Sequence, residues 1–137
     1  MRVRDFQGRI VVGCLIVTLV ASSCGGDSVG VDLPLDEVEY LTVVSREHTD
    51  QDLEYPTQPP AGGDHFGVWH NCGIYTVPLL DEAAVHSLEH GAIWVTYHPD
   101  LGVEAILGLT DRLVGKKKLL VSPHPYQEPL VVVTAWA

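Results

Sequence analysis

Basic side chains are scarce. The 137 residues include 8 Lys and Arg against 18 Asp and Glu, a formal net charge of -10. Lys116, Lys117 and Lys118 form the one basic cluster, and three charges neutralise too few phosphates for a general nucleic-acid binder. The acidic balance suits a cationic partner, such as a metal ion, better. A run long enough to span a membrane is also missing. Ile10 to Ala21 is almost unbroken and apolar, but its length is about 12 residues where a helical span needs ~20. Methionine is confined to Met1, and the 3 cysteines are Cys14, Cys24 and Cys72. There is no internal repeat. Composition otherwise is that of one folded domain, with 46% hydrophobic and 19% charged residues, and Gly 13 and Pro 9 imply many turns.

The first residues have the order of an export signal. Arg2, Arg4 and Arg9 stand against Asp5, the apolar run follows, and Ala21, Ser22 and Ser23 precede Cys24. Small residues before a cysteine resemble a lipobox, so residues 1–23 are expected to be a lipoprotein signal peptide and Cys24 the lipidated mature N-terminus. The protein is then expected to be exported, held on the extracytoplasmic face of the cell membrane. Removal of that segment leaves a net charge of -12 and keeps all 7 histidines. Cys72 becomes the lone thiol of the domain, so no intramolecular disulfide is available. Three roles stay open for it: a small buried hydrophobe, a metal ligand, or half of an intermolecular disulfide.

Residues 24–37 read as a flexible tether, and 38–137 as the folded domain. A weak strand is expected over Val38–Ser45, then a long loop over Arg46–Pro78 punctuated by Pro56, Pro59, Pro60, Gly62, Gly63, Gly67 and Gly73. His65, Trp69, His70, Cys72 and Tyr75 crowd into that loop, which marks it as ordered and functional. Asp81 can cap a helix over Glu82–His90 that Gly91 ends. A strand over Ala92–His98, a helix over about Leu101–Val114, and strands over Leu119–Ser122 and Leu130–Trp136 complete the order. The expected fold is a small single α+β domain: one mainly antiparallel sheet, two short helices on one side of it, and a long ordered His/Pro/Gly-rich loop.

Chemistry concentrates on the first helix. At ~100° per residue, Glu82, His86, Glu89 and His90 share an arc of about 100°, while Ala84, Val85 and Leu88 form a face to bury. Histidines at i and i+4 sit one turn apart, so both imidazoles can reach one ion at ~2.0 Å. Glu82 and Glu89 can serve as the carboxylates that orient such ligands. The loop upstream adds His48, His65, His70 and Cys72. His98 and His124 lack such company and are expected in solvent. His86 to His90 also spell H-x-x-E-H, the inverted zincin pattern of a zinc hydrolase. Such enzymes set it in a long helix with a later acidic ligand, whereas Gly91 closes this helix at once.

The runs Tyr55–His65 (Y-P-T-Q-P-P-A-G-G-D-H), Trp69–Tyr75 (W-H-N-C-G-I-Y) and Val85–Tyr97 (V-H-S-L-E-H-G-A-I-W-V-T-Y), with Ser122-Pro123 and Thr134–Trp136, resemble the bacterial DUF3105 domain. The resemblance covers about His48 to Trp136. It implies one fold unit on an exported, often membrane-attached protein, and it implies no reaction. His70 ranks below His65 as a ligand on that resemblance.

The expected function is a lipid-anchored, non-catalytic envelope protein with a site for copper or zinc. His65, His86 and His90 are the first-choice ligands, with Cys72 and His48 competing for a fourth place. The alternative is an envelope protein-interaction module in which Phe66, Trp69, Tyr75 and the Pro-rich loop bind a partner.

Overall fold

The computed structural model describes residues 38–136. The expected signal peptide, the expected lipidation site Cys24 and the expected tether lie outside them. The described elements run β1 (His48–Thr49), β2 (His65–Phe66), β3 (Gly73–Ile74), α1 (Asp81–Glu89), β4 (Ile93–Tyr97), α2 (Val103–Leu113), β5 (Leu119–Pro123) and β6 (Val131–Ala135). The α+β class is as expected. The sheet itself is mixed, not mainly antiparallel: four strands in the order β3-β5-β4-β6, in which only the β4–β6 pair is antiparallel. A separate two-stranded parallel ladder joins β1 to β2.

The helices cover opposite faces of this sheet, not one side. The register pairs Trp94 with Leu120 and Val95 with Val121, so alternate residues of the two central strands point to opposite faces. On one face Trp94 and Leu120 pack with Ala84 and Leu88 of α1. On the other, Val95, Tyr97, Leu119 and Val121 pack against Ile106, Leu109 and Leu113 of α2. Strands apolar on both faces need cover on both, as parallel strands usually do. The Trp94 indole N–H is satisfied inside the core by the Ser122 hydroxyl at 3.0 Å.

α1 begins one residue earlier than expected. Leu80 is its N-cap and supplies no side-chain bond, so Asp81 is the first helical residue and not the cap. Its carboxylate there favours the positive end of the helix dipole and lies 3.2 Å from His124 Nε2. Gly91 ends the helix at φ 81°, its N–H donating to the Leu88 carbonyl at 2.8 Å.

Val38–Ser45 forms no strand. Its apolar residues do not alternate, and Tyr40 and Val44 are exposed, so no buried face rewards pairing. The long loop instead contains β1, β2 and β3. It is tied to α1 by Ser87, whose hydroxyl accepts the His70 N–H at 3.0 Å, and by Glu82, whose carboxylate accepts the Leu53 N–H at 3.0 Å.

Candidate metal centre

β1 and β2 are short, yet they set the site. Their register puts His48 beside His65, and α1 passes beneath with His86 and Glu89 one turn apart. His65 is fully buried, and its Nδ1 lies 2.9 Å from the Gly63 carbonyl. His86 is buried as well, with Nδ1 2.7 Å from the Phe66 carbonyl. A carbonyl oxygen only accepts, so in each neutral ring Nδ1 carries the hydrogen and Nε2 keeps a lone pair. Backbone carbonyls thus fix the orientation of both imidazoles, as they do for metal-bound histidines.

The rings converge. The ring centroids of His48, His65 and His86 stand 4.8 to 5.0 Å apart. His65 Nε2 faces Glu89 Oε2 at 3.3 Å and has no hydrogen-bond partner. A lone pair facing a carboxylate is unfavourable unless a proton or a metal cation lies between them. One donor atom from each of His48, His65, His86 and Glu89 lies within 4.8 Å of the others, so the four can hold a metal ion. Tetrahedral bonds of ~2.0–2.2 Å space the donors roughly 3.3–3.6 Å apart, a spacing that His65 and Glu89 already have at 3.3 Å. Burial holds the His86 pKa below the ordinary value, the Phe66 hydrogen bond opposes this, and the nearby imidazoles add to it. His86 is therefore neutral at pH 7, the form in which an imidazole ligates.

The other expected site residues stand around this group. His90 is outside it, stacked on His86 with the two Nε2 atoms 2.9 Å apart. Because His86 Nε2 carries the lone pair, His90 Nε2–H donates to it. Cys72 is exposed and outside the group. Glu82 holds the Leu53 amide instead of an imidazole, while Glu89 stands among the donors instead of behind them. The H-x-x-E-H residues are thus divided: His86 and Glu89 belong to the donor group and His90 does not.

Residues 47–137 match the profile of DUF3105, described as a protein of unknown function. The chain belongs to the DUF3105 family. No curated protein and no solved structure matches it. All four donors fall within the matched DUF3105 region.

Two further features of the DUF3105 domain border the group. Trp69, 60% exposed, lies with its ring 5.6 Å from those of both His86 and His90. Beside it a cavity of about 320 Å³ is lined by Trp69, Asn71, Cys72, His90 and Lys118, among others. His70 has its pKa lowered by burial, against a hydrogen bond to the Leu80 backbone. His124, expected in solvent, is buried against Trp94 and faces Asp81. An Asp at a helix start can draw a distant histidine inward, but no local pattern announces the pairing.

Proposed function

We propose that the DUF3105 domain of this chain holds one divalent transition-metal ion, zinc or copper(II), without catalysing a reaction, and that a lipid on Cys24 keeps it at the outer face of the cell membrane. The observation that carries the ion is the pair of buried imidazoles, His65 and His86, each tied by Nδ1 to a carbonyl and both grouped with His48 and Glu89, with His65 Nε2 facing the Glu89 carboxylate at 3.3 Å. Three imidazoles and a carboxylate suit zinc and copper(II), whereas copper(I) selects thiolate and thioether donors. Cys72 stands apart from the group, and no methionine follows Met1. One donor, His48, is exposed, which suits an ion that exchanges more than one sealed in a structural site.

Elemental analysis of protein purified without a histidine tag, followed by thermal melts with added zinc and copper(II), tests this. An ion that binds only the folded state stabilises it by roughly 2.7 kcal/mol at a hundredfold excess over Kd, and His86→Ala and His65→Ala abolish the rise in Tm. A second reading, a partner-binding module, is favoured by Val68 and Trp69, adjacent and both mostly exposed. A melt indifferent to both metals would select it.

A further inference from the structure

We propose that the cavity beside the donor group binds a small carboxylate-bearing chelator that delivers the ion, with Lys118 as the cation that receives its carboxylate and His90 as the wall shared by cavity and metal centre. The inference rests on the metal reading above and names the form in which the ion arrives.

Three observations carry it. His90 belongs to both places: it lines the cavity, and its Nε2–H occupies the His86 lone pair that an ion would need. An ion reaching His86 from this side must displace His90, whose exposed ring has the cavity to turn into. Lys118 is the second observation. It holds φ at 55°, a left-handed conformation rare for a side-chain-bearing residue and a frequent mark of functional positions. Its carbonyl is pinned by the Ile93 N–H at 2.9 Å, and its ammonium lies 3.6 Å from the place a Cβ on Gly91 would occupy. Among the described residues it has no carboxylate partner within salt-bridge distance. An unpaired lysine on the rim of a cavity in so acidic a chain marks the place where an anion is tolerated. Third, the volume of about 320 Å³ is at the lower end of small-molecule sites, which run ~300–1,000 Å³, and fits a molecule the size of citrate.

Chelate chemistry supplies the link. Divalent zinc and copper in neutral water travel as complexes, and their transfer proceeds through a ternary state in which the acceptor's first donor binds before the chelator's last donor leaves. A cation that holds the departing carboxylate beside the acceptor histidines stabilises that state.

Copper(II) quenches indole fluorescence, and Trp69 adjoins His86 and His90, so stopped-flow quenching of the full-length protein reads the transfer. The probes are aqua copper(II) and its 1:1 citrate complex. The parent is expected to show a rate that saturates with copper citrate and rises linearly with aqua copper. Lys118→Gln raises the half-saturating concentration about tenfold or more, since a charge-assisted hydrogen bond is lost; Lys118→Arg restores it, and Lys116→Gln leaves it unchanged. A linear citrate dependence in the parent, or equal half-saturation in Lys118→Gln, overturns the proposal and leaves Lys118 as a cation at the α1 C-terminus. Failure of aqua copper to quench the parent more than the His86→Ala variant overturns the metal reading itself, and this one with it.

Discussion

At Gly63 the backbone holds φ at 121°, a region that side chains disfavour, and the carbonyl of this same residue receives the His65 ring hydrogen. Gly63→Ala therefore strains the turn and frees the imidazole together. A loss of roughly 1–2 kcal/mol in stability is expected from the backbone alone, with weaker metal binding at matched folded fraction. Chemical denaturation and a metal titration on the same samples check both. Unaltered affinity in a destabilised variant would separate the turn from the site. None of this was legible in advance, because any residue supplies a carbonyl and the sequence does not say which one an imidazole will meet. The histidines themselves were legible: His48, His65 and His86 announce themselves by type. Their grouping was only half so, since Glu89 is a donor through its place opposite His65, 24 positions distant.

Between elements, Ser87 clasps the loop to α1. Its oxygen accepts the His70 N–H and lies 3.0 Å from the carbonyls of His70 and Ala83, to one of which it donates. Ser87→Ala leaves a part-buried amide without a partner, for an expected cost of about 1–3 kcal/mol, and loosens Trp69, the residue next to His70 in the same loop. Indole emission shifting toward that of exposed tryptophan reports this directly. Protons act on the same elements. His70 and His86 both have lowered pKa values, through burial first, so the unfolded chain binds more protons than the folded one between those values and about 6.5. Stability of chelator-treated protein is then level above about pH 6.5 and falls as pH drops through that window. Urea melts from pH 7.5 to 5 check the sign, and His70→Phe reduces the slope. Asp64, its carboxyl held below the ordinary value by the Ser45 hydroxyl and the Glu47 N–H, adds a loss only in more acid solution. The two helices and the strands β4, β5 and β6 lay within two residues of their sequence-derived bounds, because periodicity and Gly91 mark them. β1, β2 and β3 escaped, since two-residue ladders carry no period, and Val38–Ser45 was misread because apolar residues without a partner face make no strand.

Across the whole chain, the opposed packing of α1 and α2 was hidden because β4 and β5 are apolar on both faces, a pattern that fixes burial and not the side each helix takes. The proposed anchoring is a property of the chain as a unit. Cys24→Ala is expected to leave the protein unprocessed or to release it from the membrane fraction, and fractionation with an antibody distinguishes these from the parent. A variant that stays membrane-bound and is cleaved at the same place removes the lipid from the proposal. The donor group has a consequence at this scale as well. His48, His65, His86 and Glu89 meet only when the β1–β2 ladder has closed over α1, so the unfolded chain offers histidines but no site. If the proposed export carries the chain across the membrane unfolded, it cannot be filled with metal before it leaves the cytoplasm. The compartment in which it folds then chooses the ion, and affinity order alone does not.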